Sequence, residues 1–325
     1  AARVLQGGRP TLLLVTGRAL RADGLELAGR IARKTGARLL AQTFNARMER
    51  GRGRVAVERI PYPVDQALAV LAGIEHVILV GSRMPVAFFA YPDKPSLLAP
   101  PEAQAHVLAR PDEDLLQALA WLAEEVGAGS VAAPVVDEAP PAPAQGPVTP
   151  AALAASLGAL LPDNAIVVDE GVTTGRGFFP STRAAPPHDW LQNMGGSIGI
   201  GMPMATGAAV ACPGRPVISL EADGSAMYTV QALWTQARES LEVKTVLFNN
   251  RSYAILRHEL ANVGAGNPGR KALDMLDLDR PTLDFTRLAR GMGVPGAQVT
   301  TMEEFNRRFA EAVATPGPFL VEVIL

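Results

Sequence analysis

Two oxygen-bearing side chains, Asp223 and Asn250, stand 27 positions apart at matching places in the sequence. Asp223 follows the apolar run PVISLEA (Pro216 to Ala222), and Asn250 follows VKTVLFN (Val243 to Asn249), with a helical stretch from about Met227 to Glu239 between them. Apolar runs of this length, bounded by turn residues, read as buried strands. If the two are parallel neighbours, about 4.8 Å apart, their carboxyl ends bring Asp223 and Asn250 to one edge of a sheet. A carboxylate oxygen then meets an amide oxygen. Beside them Gly224 permits a tight turn, and Ser225 and Ala226 open the helix, whose free N–H groups and dipole favour an anion. Hard oxygen donors without His or Cys suit Mg2+, its octahedral coordination completed by water and phosphate oxygens. The chemistry indicated is a phosphate held through a metal. Asp-Gly after a strand is also ordinary turn chemistry with a solvated carboxylate. A second Asn at Asn249, the following Ser252 and Tyr253, and an intervening helix of suitable length weigh against the turn alone.

Elements that would position these residues recur along the whole chain. Its 325 residues argue for two domains at roughly 100 to 200 residues each. A stretch from Gly127 to Pro150, almost wholly Ala, Pro, Gly and Val, reads as a semi-rigid linker, dividing a first domain (1–126) from a second (150–325). Strands are expected at TLLLVTG, ARLLAQT, HVILVG and near His106, with helices at Gly24 to Gly36, Pro63 to Ala72 and Glu113 to Val126. After the linker come a helix at Pro150 to Leu161, the strand AIVVDE (Ala165 to Glu170), a Gly-rich turn, and a small-residue helix within Gly195 to Cys212. A helix around Met302 to Ala314 and the strand FLVEVIL close the pattern. Alternation of this kind predicts an α/β fold of two doubly wound parallel sheets.

Composition narrows the function. With 48% apolar and 19% charged residues the chain is globular, and 30 basic against 32 acidic side chains give no basic excess for nucleic acid or anionic membranes. One cysteine, Cys212, allows neither an internal disulfide nor a Cys-based metal cluster, which fits a cytoplasmic protein. No apolar run reaches the roughly 18 residues of a spanning helix, and the first residues lack the apolar core of a secretory signal.

The segment Asp223 to Asn250 resembles the thiamin diphosphate signature of the 2-oxo acid decarboxylase and acetolactate synthase superfamily, Gly-Asp-Gly followed about two dozen residues later by Asn-Asn. Ala222 stands where the first Gly usually lies. Residues from Glu170 to Arg257 are similar to benzoylformate decarboxylase, and the whole chain resembles the middle and C-terminal domains of an acetolactate synthase large-subunit-like protein. The resemblance implies that Asp223, the Asn250 side chain and the Ser252 carbonyl bind the metal. It gives the diphosphate hydrogen bonds from Ser225, Gly224 and Tyr253, and makes Thr173 and Thr174 the other phosphate-side loop, where Val172 replaces a hydroxyl residue. Gly196-Ser197-Ile198-Gly199 matches the segment on which the cofactor bends. Ile198 would wedge between the two rings, and the Gly196 carbonyl would accept from the pyrimidine amino group, so that proton removal becomes intramolecular. Taken alone, GGSIGIGMP is also a close-packed helix start with Ile198 as ordinary core. Ile255 and Leu256 would border cofactor and substrate cleft. His258 reads as a solvated helix residue rather than a catalytic one, His76 and His106 as structural, and His188 and Trp190, on a turn, have no assigned role.

In the first domain Gly17, Gly24 and Gly81 are expected to end strands, but no GxGxxG follows one, so the dinucleotide fingerprint is absent. Acetolactate synthases bind FAD on this domain; Phe44 to Pro63 does not resemble their flavin-contacting stretch, and no tightly bound FAD is expected. By the same resemblance an N-terminal pyrimidine-binding domain, with the glutamate that activates the cofactor, is absent from this chain, and would act in cis or in trans. The implied function is thiamin diphosphate- and Mg2+-dependent carboligation or lysis of small 2-oxo acids, acetolactate synthase-like, in a homo-oligomer. The alternatives are benzoylformate-type decarboxylation and a non-catalytic cofactor-binding module.

Overall fold

The computed structural model describes residues 1–325, which divide into two compact units, Ala1–Asp137 and Glu138–Leu325. Strands β1 (Thr11–Val15), β2 (Arg38–Ala41), β3 (Arg47–Arg50), β4 (Glu58–Arg59), β5 (His76–Val80) and β6 (Gln104–Ala109) belong to the first unit. Five of them form a parallel sheet in the order β4-β2-β1-β5-β6. Every residue of β1 and β5 is buried, as expected where helices cover both faces of a parallel sheet. The helix Ala22–Thr35 buries Leu25, Ala28 and Ile31 along one face and stops at Gly36, whose φ of 75° is the left-handed conformation that ends helices. Gly24 does not end a strand. It lies in the first turn of that helix, where a Cβ would come within 2.7 Å of the Ala19 carbonyl oxygen. His76 and His106 face one another on β5 and β6 with ring nitrogens 3.1 Å apart.

The second unit is built on β7 (Ile166–Glu170), β8 (His188–Gln192), β9 (Val217–Ala222), β10 (Val243–Asn249), β11 (Gly296–Val299) and β12 (Phe319–Ile324). They pair in parallel in the order β11-β12-β10-β9-β7-β8. Chain order reverses direction between β7 and β9, and in open α/β sheets the crevice beyond the carboxyl ends at such a point is where ligands bind. Val168, Val217, Val243 and the small residues Ala205 and Ala209 form one core layer; Met202, Ala226, Leu247, Phe285 and Leu320 form another.

Several elements differ from the sequence expectation. The helix expected over Met227 to Glu239 is two, Asp223–Thr229 and Ala232–Arg238, separated at the β-branched pair Thr229-Val230. The first opens on Asp223 itself. The small-residue helix begins only at Gly201, because Gly195, Gly196 and Gly199 hold φ of 79°, 72° and 93°, outside any right-handed helix. His188 and Trp190 lie on a buried strand, β8, rather than a turn. Polar residues hid it: Asp189 is buried there through an ion pair with Arg215 at 2.6 Å. The short strand β11 and the helix Phe285–Gly291 had no counterpart in the sequence reading.

Candidate functional site

The carboxyl ends of β7, β9 and β10 converge on one edge of the second sheet, and the strand register explains how. Phe248 pairs with Ala222, and Glu170 pairs with Glu221, so the loops after all three strands begin level with one another. Asp223 is 1% exposed. Its Oδ1 accepts from the Gly224 amide at 2.8 Å and its Oδ2 from the Arg251 amide at 2.6 Å, tying the end of β9 to the loop after β10. In that loop Asn250 Oδ1 accepts from the Ser252 amide at 3.0 Å, while Asn249 donates from Nδ2 to buried Glu322 on β12 at 2.7 Å. Ser252 Oγ donates to the Leu276 carbonyl and accepts from Arg257 Nε, and the Tyr253 amide donates to Leu276 O. Gly224 has no room for a side chain, since a Cβ would sit 2.6 Å from the Tyr253 ring.

Two non-glycine residues at this edge occupy the left-handed region, Val172 (φ 45°) after β7 and Arg251 (φ 57°) after β10. For a β-branched valine that conformation is strained by roughly 1 to 3 kcal/mol, and such strain concentrates at functional sites. Thr173 and buried Thr174 follow Val172 directly. The glycine turn 195–199 packs on the helix Asp223–Thr229: Thr229 Oγ1 donates to Gly199 O at 2.7 Å, and a Cβ on Gly199 would lie 2.6 Å from Tyr228 Cβ. Gly196 is exposed and Ile198 half-buried. Ser225 and Ala226 are buried, while Ile255 (half-buried) and Leu256 (exposed) lie on the helix Ala254–Asn262, where His258 is also exposed. The edge thus gathers Asp223, Gly224, Ser225, Asn250, Ser252 and Tyr253, with the Gly196–Ile198 turn against the same helix.

Electrostatics distinguish Asp223. Burial pushes its carboxyl up to about 6, against the pull of the backbone N–H groups of Gly224 and Arg251. No cation of the protein is paired with it among the ion pairs of the structure. A buried carboxylate held only by amides, beside a side-chain amide oxygen, fits a hard divalent cation whose remaining positions go to water and phosphate.

Sequence reasoning missed a pair of buried carboxyl groups here. Glu170 and Glu221, adjacent in the register of β7 and β9, are 2% and 0% exposed. Glu170 Oε1 accepts from the Gly199 amide and Asn193 Nδ2, both at 3.0 Å, and Oε2 accepts from the Gly201 amide at 2.7 Å. Glu221 receives no such donors. Burial, then the adjacent Glu170 charge, push it well above the usual carboxylate range, so Glu221 is the protonated partner. Glu170 is also raised by burial, but the amide donors oppose the shift. The available signal was positional: each glutamate closes or nearly closes an apolar strand run that leads into a loop at this edge.

The chain is similar to known proteins over this unit and beyond it. The family described as thiamine pyrophosphate enzyme, C-terminal TPP binding domain, matches residues 175–323. The chain is 52% identical to the Mycobacterium tuberculosis protein named "Putative acetolactate synthase large subunit IlvX" over 325 residues, which is 100% of this chain and 63% of that protein. It is 34% identical over 212 residues to the benzoylformate decarboxylase of Pseudomonas aeruginosa, covering 65% of this chain and 39% of that enzyme. Among solved structures, the thiamine diphosphate-dependent 4-hydroxybenzoylformate decarboxylase of Rhodococcus jostii RHA1 superposes with a TM-score of 0.78 at 25% identity, over 99% of this chain and 62% of that one. The chain therefore spans less than two-thirds of the length of these relatives. From the matched domain, the similarity over all 325 residues and the shared α/β architecture, the chain belongs to the thiamine pyrophosphate enzyme family, with acetolactate synthase and benzoylformate decarboxylase homologues, and its residues 175–323 match that family's C-terminal TPP binding domain.

Proposed function

We propose that the second unit binds thiamin diphosphate through Mg2+ and serves carbon–carbon bond formation or cleavage next to the carbonyl of a small 2-oxo acid, acetolactate synthase-like. The observation that carries the reading is Asp223: a buried carboxylate at the sheet's switch-point edge, held by two amides and joined through Arg251 to the Asn250 loop. In this reading Asp223, Asn250 Oδ1 and the Ser252 carbonyl hold the metal. Gly224, Ser225, Ala226, Tyr253 and the Thr173-Thr174 loop take the diphosphate. When bound, thiamin diphosphate supplies the acidic carbon and electron sink that 2-oxo acid chemistry requires. The protein's part would be orientation: Ile198 would pack against the cofactor rings, the Gly196 carbonyl would accept from the amino group, and Ile255 would line the apolar side. The similarity to benzoylformate decarboxylases favours decarboxylation as the second reading.

Calorimetry of the full chain with thiamin diphosphate, with and without Mg2+, tests the site. Binding that requires Mg2+, and its loss in Asp223→Ala, is the expected outcome. Equal affinity without metal would overturn the metal bridge, and no binding in either condition would overturn the cofactor reading.

A further inference from the structure

The geometry points to Glu170 as a positioning residue: its carboxylate clamps the glycine turn and thereby sets the direction in which Ile198 meets the cofactor rings. This inference rests on the thiamin diphosphate reading above and extends it to a residue outside the signature.

The argument begins with the two peptide groups on either side of Ile198. The Ser197 carbonyl accepts from Asn193 Nδ2 at 2.9 Å, and the Gly199 amide donates to Glu170 Oε1 at 3.0 Å. Asn193 Nδ2 also donates to the same Glu170 oxygen, so both flanking peptides are tied, one directly and one through Asn193, to a single carboxylate. Its other oxygen takes the Gly201 amide at 2.7 Å, where the helix Gly201–Ala211 begins. With both neighbouring peptides fixed, the Cα–Cβ direction of Ile198 is fixed as well. Residues 194–197 of the turn are exposed, so packing contributes little to holding them. Glu170 itself comes from the end of β7, the strand whose following loop carries Thr173 and Thr174. One buried side chain thus couples the phosphate-side loop to the ring-side turn.

An ionised carboxylate is the only side-chain group of this size that accepts at both ends. Gln in its place presents an NH2 to an amide that already donates, so one end of the turn must open. An unsatisfied buried donor costs enough to shift an equilibrium about tenfold.

The test compares inorganic diphosphate with thiamin diphosphate, each with Mg2+, by calorimetry on the full chain. Glu170→Gln is expected to leave affinity for inorganic diphosphate within about twofold while weakening thiamin diphosphate about tenfold, because only the latter has rings to be positioned. Asn193→Ala, which keeps the carboxylate, is expected to move the ratio in the same direction by less, and Glu221→Gln, which removes no donor from the turn, to leave it unchanged. Hydrogen exchange of the Gly199 and Gly201 amides, read without ligand, is expected to accelerate in Glu170→Gln alone. Equal losses for both ligands would mean a structural role only, and unchanged affinities for both ligands in Glu170→Gln and Asn193→Ala would mean no role; either result overturns the proposal. A wild-type chain that binds neither ligand would refute the cofactor reading itself and take this inference with it.

Discussion

The strained ionisation of Asp223 makes a measurable prediction about pH, metal and stability together. Its carboxyl titrates at about 6 in the folded metal-free chain, against 3.8 for an ordinary aspartate. The folded state therefore holds this proton more tightly than the unfolded chain. The associated stability is fully present below the unfolded value and is lost as pH rises through the folded one. A difference of about 2 units corresponds to about 3 kcal/mol over the whole window, of which about half falls between pH 5 and pH 7.5. For a unit of this size that is roughly 3 to 6 °C in melting midpoint. Mg2+ favours the ionised carboxylate, so its stabilising effect should grow over the same interval. The assay is thermal melting at pH 5 to 8, in chelator and in excess Mg2+, for the wild-type chain and Asp223→Asn. Glu170 and Glu221 shift in the same direction and remain in the variant, so the difference between the two proteins isolates residue 223. In chelator the wild type should lose this increment relative to the variant on going from pH 5 to 7.5, and Mg2+ should restore it in the wild type only. Parallel pH profiles, or equal Mg2+ shifts in both proteins, would refute the assignment of a desolvated metal-binding carboxylate.

Two further outcomes follow from the turn that faces it. In an enzyme completed by a pyrimidine-binding domain, Ile198→Ala should reduce 2-oxo acid turnover far more than it reduces Mg2+-dependent affinity for thiamin diphosphate, because the diphosphate end would anchor the ligand while the wedge would set ring geometry; steady-state kinetics beside calorimetry reads the split, and parallel losses would indicate a simple cavity. Gly201→Ala should cost stability by about 1 to 3 kcal/mol or more in denaturant titration, since the new Cβ would lie 2.2 Å from Glu221 Oε2 and 2.9 Å from Glu170 Cβ.

The strands that carry the site were legible because β7, β9 and β10 are short, largely apolar, β-branched-rich runs bounded by turn residues. Asp223 and Asn250 fall just past those ends as expected. The family resemblance beyond the signature added Ile198 and Gly196 as candidates, which no periodicity could have singled out. What remained hidden was set by tertiary contacts. Strand β8 contains His188 and Asp189, residues that read as a turn until the Arg215 ion pair makes their burial tolerable. The Thr229 hydroxyl, at the helix break, reaches the Gly199 carbonyl, a contact no local pattern announces, and Glu170 looked like the polar end of a strand rather than a group with three donors converging on it. Gly24 was misplaced because a glycine near an apolar run signals a strand end, whereas here it lets the helix Ala22–Thr35 approach Ala19.

The position of β12 bears on how the site comes into being as the chain is synthesised. All three metal-ligand candidates lie within residues 217–252, one continuous strand–helix–strand stretch and its loop, so they emerge from the ribosome close together. Yet β10, the strand that ends beside Asn250, has β12 as its other neighbour, and β12 is the last strand in chain order, residues Phe319–Ile324. Until those residues appear, one side of β10 is an open edge of unpaired backbone groups. Asn249 also lacks Glu322, the carboxylate that orients its side chain at the start of the loop carrying Asn250. Synthesis of the candidate ligands therefore precedes that of the strand supporting them by some seventy residues, and a site encoded in the middle of the domain is completed by a strand near its end.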